Sequence, residues 1–226
     1  MSVLLVAPVL AAAEPAATLS TTQQAAEVIA AESTTGTLLF CRGDCLAVKV
    51  FSGGPYTHVA AIVLQEGRAI VYDSMNGAGV RRQELAEFLE SQNPDVIHLV
   101  QPAHALTDAE CRAFVEHLDG EVGRPYGVAH HLTGGRATGL HCAEYVTDAL
   151  MACNLIHANQ PSRVSPASLA EGIIGDGLYA PAVTFALEEP ARGTEKGRNW
   201  CHQLWIDTKV CTITCCTKMR RLFLCK

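Results

Sequence analysis

The sequence is poor in charged residues and has no basic surplus. Charged residues make up 18% of the chain, and the formal net charge is −6. Surfaces that bind nucleic acid need a clustered positive potential to attract phosphate. The composition therefore argues against DNA or RNA as a partner. Hydrophobic residues make up 49% of the chain. This fraction indicates a sizeable buried core rather than long disordered stretches.

Long hydrophobic runs and early positive charges are also missing. The apolar stretch Val3–Ala13 is too short to cross a bilayer as a helix, and no Lys or Arg precedes Arg42. A secretory signal peptide carries a basic segment ahead of its apolar one. We therefore predict a cytoplasmic protein with no stable membrane span, and an export signal is the alternative.

Cysteine pairs of the CxxC type are absent, although the chain has ten cysteines. Five lie in residues 195–226, spaced C-x9-C-x3-C-C-x8-C, where seven Lys or Arg residues accompany two acidic ones. This joint change in charge and cysteine density predicts three segments: an N-terminal extension that is partly helical (1–35), a main domain (36–194) and a Cys-rich basic tail (195–226). The other five cysteines show no disulfide framework, so we expect free thiols there.

Apolar runs of strand length alternate with helical patterns along the main domain. The predicted strands are Cys45–Phe51, His58–Leu64, Ala69–Ser74, Asp95–Val100 and Leu178–Leu187. The predicted helices lie within 14–33 and at Glu84–Leu89, Thr107–Leu118, Cys142–Cys153 and Ser165–Glu171. The second and third strands flank a four-residue turn and predict an antiparallel hairpin. Such strands with separate helices indicate an α+β domain.

Cys142 stands at the predicted start of a strong helix, after Gly139 and His141. The positive end of the helix dipole stabilises a thiolate at that position, and the thiolate is the nucleophilic form of cysteine. Unpaired backbone N–H groups of the first helical turn can stabilise an oxyanion. Without a partner base, such a residue is usually a small buried structural cysteine. With a partner base, the same position makes Cys142 a candidate nucleophile.

His58 is the candidate base for this thiol. It opens the strand that follows the loop of Gly53, Gly54 and Pro55, and a histidine can take or hold the proton of a thiol near neutral pH. A third polar group has to orient the imidazole. The hairpin brings Asp73 close to His58, whereas Tyr72 points to the opposite face of the sheet.

Four motifs, in this order, resemble one known family. They are Gly43-Asp44-Cys45-Leu46, then Tyr56-Thr57-His58-Val59, then Gly123-Arg124-Pro125-Tyr126 with His141-Cys142-Ala143-Glu144, and last Ser165-Pro166-Ala167-Ser168-Leu169. Together they resemble the YiiX/YebB-like branch of the NlpC-type papain-like superfamily, related to the lecithin retinol acyltransferases, in which the histidine precedes the cysteine. The resemblance covers Leu38–Leu178. Two positions depart from it, because His141 replaces an aromatic residue and Ala143 replaces a serine.

The resemblance implies a circularly permuted papain-like core, in which an antiparallel sheet packs against helices. It implies Cys142 as nucleophile, His58 as base and Asp73 as third residue, and it places Tyr56, Tyr126 and His141 where substrate binds. The implied activity is that of a cysteine-dependent hydrolase or acyltransferase, which attacks an amide, ester or thioester and passes through an acyl-enzyme. We expect no cofactor and no metal in this reaction.

Two other functions stay open on the residues alone. One is a non-catalytic binding module on the same scaffold. The other is zinc binding through the Cys-rich tail, although adjacent cysteines suit a single zinc ion poorly. For the enzyme, the expected partner is a small-molecule, peptide or lipid acyl substrate, and the sequence indicates no particular oligomeric state.

Overall fold

The computed structural model describes residues 17–19, 21–42, 54–128, 138–181, 183–187 and 199–200. The strands are β1 (Ala17–Leu19), β2 (Leu38–Arg42), β3 (His58–Gln65), β4 (Arg68–Met75), β5 (Gly79–Glu84), β6 (Val96–Val100) and β7 (Val183–Leu187). The helices are α1 (Thr22–Glu32), α2 (Leu85–Gln92), α3 (Asp108–Gly120), α4 (Cys142–Ala152) and α5 (Pro166–Gly175), with a 3-10 turn at Pro161–Arg163. The predicted strand Cys45–Phe51 and nearly all of the tail lie outside the described residues.

The strands form a single mostly antiparallel sheet in the order β1-β7-β6-β2-β3-β4-β5. Only the pairing of β1 with β7 is parallel among these strands. The predicted β3–β4 hairpin is confirmed, with Gln65 opposite Arg68. Its tip residues Glu66 and Gly67 have φ of 51° and 77°, the left-handed backbone that a tight hairpin turn requires. Helices on both faces of this sheet confirm the α+β class.

The sheet separates two hydrophobic clusters. One face packs against α3, α4 and α5, and its largest buried side chains include Tyr72, Phe114 and Tyr145. The other face packs against α1 and α2 through Ile29 and Phe88. Since alternate residues of a strand point to opposite faces, Tyr72 and Asp73 diverge as predicted. Helix α1 belongs to the second cluster, so residues of the predicted N-terminal extension help to form the core.

Helix boundaries follow the capping signals of the sequence. The predicted capping box at Thr107 is present, with both of its hydrogen bonds to Glu110. Pro166 occupies the first turn of α5, behind a second box made by Ser165 and Ser168. These caps satisfy N–H groups that have no partner within the helix.

Four elements differ from the predictions. The last strand, predicted as Leu178–Leu187, begins only at Val183. The segment 14–33 is not helical throughout, because Thr21 caps α1 and β1 pairs with β7 before it. Strand β2 runs through Leu38–Arg42, where the sequence showed only a short apolar run, and it lies between β3 and β6. Strand β5 was not predicted, because its polar composition gives no apolar alternation at the edge of the sheet.

The prediction of a sizeable buried core can be tested at Phe114 of α3, which is fully buried. Replacing Phe114 with alanine removes the ring and leaves a cavity, so we expect the free energy of unfolding to fall by about 3–5 kcal/mol. Urea denaturation measures this loss. Val122→Ala, at an exposed position, is the control and should change stability by no more than about 0.5 kcal/mol.

Candidate active site

Cys142 is the first residue of α4, as predicted, and it is 6% exposed. His141 precedes it as the N-cap, and its Nδ1 accepts a hydrogen bond from the Glu144 N–H at 3.3 Å. The first intrahelical bond runs from the Tyr145 N–H to the His141 carbonyl at 3.0 Å. The thiol therefore lies at the positive end of the helix dipole, where negative charge is stabilised.

His58 and Asp73 are brought together by the hairpin of β3 and β4. His58 Nε2 lies 3.1 Å from Asp73 Oδ2, and both residues are buried, Asp73 completely. The imidazole also stacks on Phe88 of α2, with ring centroids 6.0 Å apart. Because Nε2 faces the carboxylate, Nδ1 is the ring nitrogen that remains for the thiol of Cys142.

The strand that carries Asp73 is joined directly to the segment that carries Cys142. The Ser74 hydroxyl donates to the Leu140 carbonyl at 2.7 Å, and both residues are buried. Gly139 packs closely on the backbone at Pro125, and a Cβ atom on Gly139 would lie 2.7 Å from the Pro125 carbonyl oxygen. These contacts hold the start of α4 against the strand end where His58 and Asp73 lie.

The charges of Cys142 and His58 stabilise each other. Burial raises the pKa of the Cys142 thiol, but the positive charge of His58 and the close contacts with His141 and His58 outweigh burial and hold the pKa well below the ordinary value. Burial lowers the pKa of His58, whereas the charge of Cys142 and the hydrogen bonds to Asp73 and Cys142 raise it above the ordinary value. These opposite pKa shifts favour a thiolate–imidazolium pair over a neutral thiol and a neutral imidazole.

The other cysteines in the described ranges behave differently. Cys41, Cys111 and Cys153 are free thiols, as predicted for the main domain, and burial is the main cause that raises the pKa of each. Cys41 lies directly opposite His58 in the β2–β3 pairing, and the negative charges of Asp73 and Cys142 raise its pKa further. Of these four thiols, only Cys142 has a pKa below the ordinary value.

His141 contacts the thiol rather than open solvent. Its Nε2 lies 3.0 Å from the Ser162 carbonyl oxygen, so this nitrogen donates, while Nδ1 accepts from the Glu144 N–H. Burial lowers the pKa of His141, and the contact with Cys142 and its negative charge raise it above the ordinary value. The hydrogen bond from the Glu144 N–H to Nδ1 opposes protonation of His141, because this bond uses the Nδ1 lone pair that a proton would occupy.

The two tyrosines predicted to bind substrate lie in different surroundings. Tyr126 is half-buried beside Leu140, and burial together with the negative charge of Cys142 raises its pKa. Tyr56 is buried, and its ring centroid lies 5.2 Å from those of Phe40 and His98. The substrate-binding roles of Tyr56, Tyr126 and His141 stay predictions.

Arg81 and Gln92 contact the Asp73 carboxylate, and neither was expected from the sequence. Arg81 Nε donates to Asp73 Oδ1 at 2.9 Å and its Nη2 to Asp73 Oδ2 at 3.3 Å, while Gln92 Nε2 lies 3.4 Å from Oδ2. The hydrogen bonds and positive charges of His58 and Arg81 outweigh burial and lower the pKa of Asp73. The sequence did contain a signal for the strand that carries Arg81. Asn76-Gly77 is a dipeptide typical of hairpin turns, and here it connects β4 to β5.

Neither a metal-binding cluster nor a membrane-spanning helix occurs in the described ranges of the chain. Across those ranges, no group of three or more His, Cys, Asp or Glu side chains is arranged to hold a metal ion. None of the helices within those ranges has the length and apolar character to cross a bilayer. The cysteines of the tail that suggested zinc lie outside these residues.

No protein family and no curated protein matches this sequence. Among solved structures, the chain is similar to the metalloprotein YiiX from Escherichia coli O157:H7, with 12% sequence identity and a TM-score of 0.47. The similarity covers 68% of this chain and 88% of that protein.

Proposed function

We propose that this chain is a cysteine-dependent hydrolase or acyltransferase with a circularly permuted papain-like core. The proposal rests above all on one observation: a buried thiol at a helix start is paired with a histidine that contacts a buried carboxylate. The resemblance of the four sequence motifs to papain-like enzymes supports the same function. The substrate class is an amide, ester or thioester.

The starting state for this chemistry is the thiolate–imidazolium pair of Cys142 and His58. In the first step, the sulfur attacks the carbonyl carbon of the substrate, a C–S bond forms, and the carbonyl electron pair moves to oxygen. His58 then donates its proton to the leaving nitrogen, oxygen or sulfur, whose bond to carbon breaks. The product of this half-reaction is a thioester on Cys142.

Two backbone N–H groups are suited to stabilise the oxyanion. Of the first-turn N–H groups of α4, the Glu144 N–H is used by the His141 ring and the Tyr145 N–H by the His141 carbonyl. The N–H groups of Cys142 and Ala143 remain, at the positive end of the helix. Fixed donors of this kind contribute strongly to the stabilisation of developing negative charge.

The second half-reaction releases the acyl group. His58, now neutral, takes a proton from water or from another acceptor, which attacks the thioester carbonyl. The C–S bond breaks and the Cys142 thiolate leaves beside the restored imidazolium. Asp73 stabilises the imidazolium in both halves of the cycle and keeps the ring oriented. Hydrolysis and acyl transfer differ only in the acceptor.

Trapping of the acyl-enzyme tests the proposed function. We expect brief mixing with a panel of amide, ester and thioester substrates to add the mass of the acyl group to the peptide that contains Cys142, since the thioester is the predicted intermediate. Mass spectrometry of acid-quenched samples measures the adduct. Absence of both adduct and turnover across all three bond classes would count against the proposal, and Cys153 provides an internal control that should stay unmodified.

A further inference from the structure

Arg81 binds the carboxylate that orients His58. Arg81 lies directly opposite Asp73 in the β4–β5 pairing, and its guanidinium contacts both carboxylate oxygens. The Arg81 side chain is 24% exposed, whereas Asp73 is fully buried. A planar fork that meets both oxygens of a carboxylate gives a strong and well-oriented ion pair.

The guanidinium is itself held in place by neighbouring groups. Its Nη2 lies 3.1 Å from the Ser91 Oγ and 3.2 Å from the Met75 Sδ. The Ser91 hydroxyl donates in turn to the Phe88 carbonyl at 3.0 Å, within the same helix α2. Phe88 is also the residue that stacks on the His58 ring, so β4, β5 and α2 together fix the orientation of Arg81 and of the histidine.

The charges of the site alternate in sign from α4 to the edge strand. The thiolate of Cys142 is negative and the imidazolium of His58 is positive. The carboxylate of Asp73 is negative again, and the guanidinium of Arg81 is positive. Their sum is zero when the ion pair is formed. Without Arg81, the buried groups would carry one uncompensated negative charge, which is unfavourable in a low-dielectric interior.

We infer that Arg81 is a positioning residue of this site: it fixes the Asp73 carboxylate through two hydrogen bonds and, through Asp73, limits how tightly His58 holds its proton. The inference rests on the proposed function, because the proton of His58 matters only if Cys142 acts as a nucleophile. A histidine that held its proton too tightly would be a poor acid toward a leaving group.

The pKa of His58 depends on all the titratable and charged groups that face it, of which Arg81 is one. The titratable and charged groups that face it come from β2, β4, β5 and the start of α4, and they are Cys41, Asp73, Arg81, Cys142 and His141. The residues that α2 contributes, Phe88 and Gln92, are uncharged. Removal of the guanidinium therefore changes a single positive charge in this set.

The adjacent Arg82, on the same strand, forms an ordinary surface ion pair with Asp119. Its Nη1 lies 3.3 Å from Asp119 Oδ1, with side chains 56% and 42% exposed. Such pairs contribute little because solvent and salt screen them. Since neighbouring residues of a strand point to opposite faces, Arg82 lies away from Asp73 and serves as a matched control.

The test measures the rate of Cys142 alkylation by iodoacetate from about pH 4 to about pH 11, a span that reaches beyond the raised pKa of His58. The thiolate displaces iodide, and the nearby imidazolium attracts the anionic reagent. The wild-type rate should therefore rise as the thiolate forms and fall as His58 loses its proton. In Arg81→Gln, both limbs should move to higher pH by about half a unit to one unit, because loss of a positive charge raises the pKa of nearby groups.

Two further variants complete the experiment. Arg82→Gln should reproduce the wild-type profile. Arg81→Lys keeps the charge but supplies a point charge in place of the fork, so its alkaline limb should lie between those of the wild type and Arg81→Gln. If Arg81→Gln does not fold, as judged by circular dichroism, a shift of the Arg81→Lys alkaline limb to higher pH than that of the wild type is the deciding measurement.

The outcomes separate the two proposals. Wild-type Cys142 that alkylates no faster than an ordinary thiol would overturn the proposed function and the inference together. A wild-type bell-shaped profile that folded Arg81→Gln reproduces without a shift would overturn the role of Arg81 alone. An Arg81→Lys profile that superimposes on the wild type, where Arg81→Gln is unfolded, would overturn it as well.

Discussion

Replacing Cys142 with alanine is expected to lower the rate of hydrolysis on the best substrate by on the order of a thousandfold or more, the scale of effect seen when a covalent nucleophile is removed. The methyl group of alanine cannot attack a carbonyl, so no thioester forms. The fold should survive, because the change removes only a sulfur atom at a helix start. Steady-state turnover and a thermal melting curve measure the two expectations.

Cys153→Ala is the matched control for this variant. Cys153 follows the same helix at its other end, is also buried, and its thiol donates to the Leu150 carbonyl at 3.3 Å. The same atom is removed from a similar environment, so the stability cost should be comparable while activity is retained. Wild-type turnover in Cys142→Ala would show that the nucleophile has been assigned to the wrong residue.

The second large effect is expected from His58→Ala. This variant should lose about a hundred- to ten-thousandfold in rate, since general acid–base catalysis contributes on that scale. The pH at which alkylation of Cys142 reaches half its maximum should rise toward the value of about 8.5 for an ordinary thiol, because the imidazolium charge that lowers the Cys142 pKa is gone. Alkylation with an uncharged reagent such as iodoacetamide measures the shift.

His104→Ala provides the comparison, since His104 lies on the surface and away from the thiol. Its alkylation profile should match that of the wild type. An unshifted profile in His58→Ala, obtained on protein that still melts cooperatively, would contradict the pairing of His58 with Cys142. In that case His141, which also contacts the thiol, would be the remaining histidine to test by the same substitution.

Those parts of the fold that depend on local chemistry were predictable. The capping box at Thr107, the proline in the first turn of α5 and the turn between β3 and β4 each follow from residues a few positions apart. The approach of His58 to Asp73 was predictable for the same reason, because a tight hairpin determines which residues of its two strands are neighbours. The start of α4 at Cys142 followed from the helical period after a glycine-rich segment.

Features that depend on contacts between distant segments were not predictable. Strand β5 is polar, so only its pairing with β4 explains why Arg81 lies against Asp73. His141 as the cap of α4 was missed because Ser, Thr, Asp and Asn are the usual capping residues. The segment before α1 reads as helical, yet β1 is a strand because β7 offers it a hydrogen-bonding partner.

The hydrogen bond from Ser74 to the Leu140 carbonyl has a consequence for how the protein is made. It joins positions 66 residues apart, and contacts of such separation form late because the intervening loop must first be closed. Until α4 docks, Cys142 has no imidazolium beside it and is mostly a protonated thiol at neutral pH. Thiol–disulfide exchange depends on the thiolate fraction, so we expect Cys142 to exchange faster in the folded protein than in the unfolded chain. The lowered pKa of Cys142 therefore depends on the completed tertiary structure, which brings His58 and His141 to the thiol.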